Sequence, residues 1–108
     1  MSDSQSEYDH VANLLSLQPG VSRAKMFGMP SVMVNGKAFA GLSGESMIFK
    51  LSGEAHHTAL AIAGAKLFEP MAGRPMKEWV CVPPEQARTW LELAGAALQY
   101  VRSLAGKG

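Results

Sequence analysis

The sequence predicts a single α+β domain: a mainly antiparallel sheet of about five strands with an N-terminal helix, a middle helix and a long C-terminal helix, in the order α-β-β-β-α-β-β-α. Three observations carry this. Apolar residues recur at helical spacing at both ends of the chain, Asn35-Gly36 punctuates two apolar runs in the middle, and the stretches 47–51 and 76–82 alternate as half-buried strands do. A length of 108 residues holds one hydrophobic core, with 1–4 and 105–108 expected as frayed ends.

The first helix is expected from Ser4, with Glu7 three residues on at capping-box spacing, and Tyr8, Val11, Ala12, Leu14 and Leu15 follow as its apolar stripe. Pro19-Gly20 stops it. From Val21 to Phe27 the chain alternates, and Gly28 and Pro30 break the run. Asn35-Gly36 tolerates the positive φ of a type I′ turn, so Val32-Met33-Val34 and Lys37-Ala38-Phe39-Ala40 form a hairpin, extended to a three-stranded meander by 47–51. Ser52 is placed to cap a short helix whose stripe is Ala55, Ala59, Ile62 and Ala63, ended by Gly64. Residues 66–69 fit an edge strand, 70–75 a loop by composition, and 76–82 a strand ended by Pro83. Pro84 suits the first turn of the last helix, which carries the largest apolar face: Ala87, Trp90, Leu91, Ala94, Ala97, Leu98, Val101 and Leu104.

Composition bounds function. Hydrophobic residues at 47% and charged residues at 18% exclude a wholly disordered chain. A formal charge of +1 supplies no whole-molecule field for nucleic acid or anionic lipid, so any such binding needs a local patch. One cysteine, Cys81, forms no intrachain disulfide, which fits a reducing cytoplasm. The opening MSDSQSEYDH lacks the basic and apolar regions of a signal peptide, and no apolar run reaches the roughly 20 residues of a membrane span.

The supply of catalytic groups is thin. His10 stands apart, and adjacent His56 and His57 diverge by about 100 degrees on a helix, so they do not face one metal together. Cys81 shares a strand face with Trp79 and Lys77 and reads as a small buried hydrophobe rather than a nucleophile. No glycine-rich phosphate loop is present. No catalytic set, metal site or cofactor is therefore expected. Two candidate surfaces remain. Arg23, Lys25, Lys37, Lys50 and Lys77 fall on or beside the sheet and would make a nucleic-acid patch if they converged, with Phe27, Phe39 or Trp79 to stack on bases. The loops Phe27-Gly28-Met29-Pro30 and Met71-Ala72-Gly73-Arg74-Pro75 combine apolar side chains with one cation, and Arg74 suits a partner carboxylate or phosphate.

Lys25-Met26-Phe27-Gly28, Asn35-Gly36-Lys37 with Phe39-Ala40, Met47 to Leu51, Gly64 to Pro70, Gly73-Arg74-Pro75-Met76 and Trp79-Val80-Cys81-Val82-Pro83 occur in an order that resembles the TfoX/Sxy N-terminal domain family. The resemblance spans Val21 to Leu104, and Met29-Pro30 departs from the glycine-rich or aromatic residues common there. It implies a compact α+β domain on an antiparallel sheet. Longer members regulate natural competence by helping the cyclic AMP receptor protein activate transcription, and they carry a C-terminal domain for which a chain ending at Gly108 leaves no room. The resemblance supplies no catalytic residues. The expectation is thus a non-enzymatic cytoplasmic module that binds protein, with the transcription machinery as partner, or pairs as a homodimer; direct nucleic-acid binding through the basic patch is the alternative.

Overall fold

The computed structural model describes residues 4–26, 28–71 and 73–106. Helix α1 spans Ser4–Leu15. Four strands follow, β1 (Val21–Met26), β2 (Met29–Val34), β3 (Lys37–Ser43) and β4 (Ser46–Lys50), then helix α2 (Gly53–Leu60), strands β5 (Lys66–Met71) and β6 (Arg74–Val82), a 3-10 segment over Pro84–Thr89, and helix α3 (Trp90–Gly106). The strands form one antiparallel sheet in the order β1-β2-β3-β4-β6-β5. The α+β class holds. Four strands, rather than three, precede the middle helix, so the sheet has six strands.

At Gly28, φ of 76° lets β1 fold straight back on β2, which adds one strand to the meander. Pro30 does not break β2, because pairing with β3 begins one residue later at Ser31, so the missing N–H falls outside that ladder. The Asn35-Gly36 turn has positive φ at both residues, 52° and 83°, as a type I′ hairpin requires. A bulge in β3 inserts Phe39 between Ala38 and Ala40, and as a result the consecutive residues Phe39 and Ala40 are both fully buried in the main core. Residues 70–75 are a tight hairpin rather than a loop: Pro70 and Met71 end β5, Arg74 and Pro75 open β6, and Gly73 at φ 79° makes the turn.

All three helices lie on one face of the sheet. Tyr8 and Val11 of α1, Ala59 of α2, and Trp90, Ala94 and Val101 of α3 join a core whose sheet side is built by Val32, Val34, Met47, Phe49, Val80 and Val82. Leu14, Leu91 and Leu104, read as stripe residues, are 39–42% exposed, while Leu93 is buried instead. The capping box is not formed: the Ser4 hydroxyl is buried without a hydrogen-bond partner among the described residues, and Ser52 precedes α2 without a side-chain cap bond. The α2 helix ends at Leu60, short of Ala63, and α3 runs on to Gly106. No helix among the described residues is long and apolar enough to cross a membrane.

Two core aromatics bury polar atoms without a hydrogen-bond partner among the described residues, the Tyr8 hydroxyl and the Trp90 indole N–H. Burial pushes the Tyr8 phenol up to about 12 from its ordinary 10.0, against the lowering effect of the Arg23 guanidinium 5.6 Å from its ring. Above pH 10 the unfolded phenol therefore releases its proton before the folded one, and stability falls as pH rises from 10 to about 12. Replacing Tyr8 with Phe is expected to flatten this alkaline decline and, by removing an unsatisfied buried hydroxyl, to raise stability at neutral pH by about 1 kcal/mol, read by urea unfolding across pH. A loss of stability at neutral pH with an unchanged alkaline slope would show that the hydroxyl is paired and solvated.

Candidate functional site: the helix-free face of the sheet

Strand register fixes which side chains share the uncovered face. One continuous row crosses the whole sheet, Ala24–Ser31–Gly41–Ile48–Cys81–Lys66, each residue directly opposite the next. Alternation adds Met29 and Met33 from β2, Lys50 from β4, and Trp79 from β6. An antiparallel sheet with one face to solvent ordinarily places polar residues there. This one instead carries a second, smaller apolar cluster: Ile48, Phe68 and Trp79, exposed by 0%, 6% and 5%, with Met29, Ala38, Met76 and Cys81 half-buried around them.

Two backbone features build the cluster. Gly41 is the tile over which Ile48 lies, since a Cβ there would stand 3.0 Å from the Pro30 carbonyl oxygen and 3.5 Å from Ile48 Cγ1. On the other side, β6 arches away from β5: Leu67 pairs with Val80, yet the next residue, Phe68, pairs with Met76. Within that arch the Glu78 carbonyl accepts the Leu51 N–H at 2.8 Å, and the Lys77 carbonyl accepts His56 Nε2–H at 2.6 Å. His56, which its sequence position suggests is simply solvated, thus ties α2 to the arch. The arch leaves two hollows. Ser43, Ser46, Lys66, Phe68, Glu69 and Cys81 line one of about 240 Å³, and Lys50, Met76, Lys77, Glu78 and Trp79 line a wider, open one of about 450 Å³.

The charges around the arch are unevenly engaged, with Glu78 on the helix side of β6. Glu69 accepts the Gly73 N–H, and Glu78 accepts the Tyr100 hydroxyl while lying 3.9 Å from Lys50 Nζ. The Glu78 hydrogen bond is the main cause that raises the Tyr100 phenol. Lys66 and Lys77 are exposed and pair with no carboxylate among the described residues.

The five cations read as one nucleic-acid patch do not converge. Arg23, Lys25 and Lys37 belong to the helix side, as Arg23 pairs across from buried Val32 and Lys37 from buried Val34; Lys50 lies on the open face, and Lys77, in the arch of β6, lines the open hollow with it. Arg23 is also spent on α1: Nη2 meets Asp9 Oδ1 at 2.7 Å and Nη1 donates to Asn13 Oδ1 at 3.2 Å. Lys66, opposite Cys81 on the open face, is signalled in the sequence only by alternation on an edge strand.

The two candidate loops are likewise separated. The β1–β2 connection, with Gly28, Met29 and Pro30, lies at one edge of the sheet; the β5–β6 connection, with Gly73, lies at the opposite edge and at the opposite end of the strands. They do not form one surface. Phe27 lies outside the described residues, as do the side chains of Met71, Arg74 and Pro75, so the role proposed for Arg74 has no geometry to weigh. Met29 alone of the first loop joins the open-face cluster.

Among the described residues no group of three or more His, Cys, Asp or Glu side chains could hold a metal ion. Burial pushes the Cys81 thiol up, with the Ser46 hydrogen bond and the Lys66 charge opposing. Iodoacetamide at neutral pH is accordingly expected to alkylate Cys81 several-fold more slowly than free cysteine, read by intact-mass spectrometry. Gly41→Val, which displaces Ile48 from beside Cys81, should speed the reaction; rapid stoichiometric labelling of the unaltered protein would contradict this environment.

No protein-family model matches the chain, and neither does a curated protein or a solved structure.

Proposed function

We propose that the protein is a non-enzymatic, cytoplasmic interaction module that binds a protein partner through the helix-free face of its sheet. One observation carries the reading. The chain places a largely buried Ile48–Phe68–Trp79 cluster on the face that no helix covers, and packs the half-buried side chains of Met29, Ala38, Met76 and Cys81 against it. The half-buried residues around the cluster are the apolar surface that this face offers a partner. Methionine suits such a surface because its unbranched, polarizable side chain adapts to a partner's shape. The likeness in motif order to the TfoX/Sxy N-terminal domains supports a partner in transcription, reached through this face rather than through the two separated loops.

Affinity capture of the tagged protein from its own cells, followed by mass spectrometry, tests the surface when run beside two variants. Met76→Glu places a charge at the rim of the cluster and is expected to lose at least about nine-tenths of the captured partner, the order of effect seen when a contact residue worth more than about 1.4 kcal/mol is removed. Leu17→Glu changes the most exposed large apolar residue, at 82% exposure just beyond α1, and is expected to leave capture intact. Capture lost with Leu17→Glu and kept with Met76→Glu would move the contact surface to the helical side. Circular dichroism of both variants checks that each is folded.

A further inference from the structure

We infer that the smaller hollow, beside Cys81, binds a free α-amino acid with an apolar side chain, whose carboxylate meets Lys66 and whose ammonium meets Glu69. This site goes beyond the docking face and does not rest on it. Strand register brings its polar residues together at one end of the open face. Ser43 stands directly opposite Ser46 across β3 and β4, Ile48 opposite Cys81 across β4 and β6, and Cys81 opposite Lys66 across β6 and β5. A hydrogen bond between the Ser46 hydroxyl and the Cys81 thiol completes the row. Glu69 belongs to the same strand as Lys66 and lines the same hollow of about 240 Å³.

Charge then selects the ligand. Lys66 and Glu69 border one hollow with opposite signs yet form no ion pair with each other; the ion pairs among the described residues are Arg23–Asp9 and Lys50–Glu78. Glu69 Oε2 accepts the Gly73 N–H, which leaves Oε1 to accept a further donor. A simple anion would be drawn to Lys66 and repelled by Glu69, and a simple cation the reverse. A ligand that carries both charges meets both residues through charge-assisted hydrogen bonds. Burial keeps the Cys81 thiol protonated, so its S–H can serve the Ser46 oxygen and leave the Ser46 O–H to donate to the ligand's carboxylate.

Size and lining set the rest of the ligand. A hollow of about 240 Å³ is below the ~300–1,000 Å³ of drug-sized sites, so it takes one small molecule rather than a nucleotide or a peptide. Leu67 and Phe68 form part of its wall and offer an apolar side chain a contact away from water. An amino acid of leucine's size presents both charges on one carbon and an apolar group beyond it, which matches this lining.

The test titrates the full chain, labelled with nitrogen-15, with L-leucine, N-acetyl-L-leucine, L-leucinamide and inorganic phosphate to several millimolar. L-leucine is expected to shift the amides of Ser43, Ser46, Lys66, Phe68, Glu69 and Cys81. N-acetyl-L-leucine, without the ammonium, and L-leucinamide, without the carboxylate, should each bind about tenfold more weakly. Lys66→Met and Glu69→Gln, the second keeping an acceptor for the Gly73 N–H, should each weaken L-leucine by about the same factor. Preserved amide dispersion shows that both variants are folded. Equal binding of phosphate or N-acetyl-L-leucine at the same amides would overturn the amino acid in favour of a simple anion. Binding of L-leucine undiminished in both variants, or no shift at those amides, would overturn the site while leaving the docking face, which partner capture tests separately.

Discussion

A sheet has two faces, and this chain's helices cover only one of them. All three pack against Val32, Val34, Met47, Phe49, Val80 and Val82, so the strands must be apolar on that side to hold the fold together. The other side has no helix to hide beneath, yet Ile48, Phe68 and Trp79 are as dry as core residues. They achieve this by packing laterally on one another, which demands a glycine at position 41 and an arch in β6. The arch in turn depends on hydrogen bonds from Leu51 and His56 to the carbonyls that β5 does not pair. Ordinary strand pairing would have left these side chains standing in water.

The same geometry explains why charge is distributed as it is. Arg23 faces the helical layer and is held by Asp9 and Asn13, where an exposed ion pair adds little stability but clips α1 to the edge strand. Cations on the open face have a different environment, because the acids near them are occupied by a turn N–H and a tyrosine hydroxyl.

Local signals in the sequence were enough for much of the fold. Asn35-Gly36 marks its hairpin because few residue pairs accept positive φ twice in succession, and the spacing of Trp90, Ala94, Ala97, Leu98 and Val101 marks the long helix that covers the sheet. What escaped was set by pairing across the chain. Pro30, Pro70 and Pro75 read as breaks, yet they sit near strand ends, where a missing N–H is tolerated. The bulge at Phe39 turns two neighbours inward at once, which strict alternation forbids. The site suffered most. Alternation shows that residues share a face within one strand, but which faces coincide between strands is decided by register, so five lysines and arginines that look alike in the sequence divide between opposite sides of the sheet. The crossover through α2 inserts β6 between β4 and β5, and this sends the hairpin at Gly73 to the edge farthest from Gly28. The Ile48–Phe68–Trp79 cluster had no sequence signal beyond apolar residues in strands, because its members are brought together by that crossover.

The most direct measurement of whether the open face is where this protein meets its partner is hydroxyl-radical footprinting of the native assembly against the isolated chain. Recognition through the sheet predicts that Met29, Met33 and Met76 become protected in the assembly while Leu17 and Leu91 on the helical side stay reactive. Protection of Leu17 and Leu91 with the three methionines unchanged would contradict it.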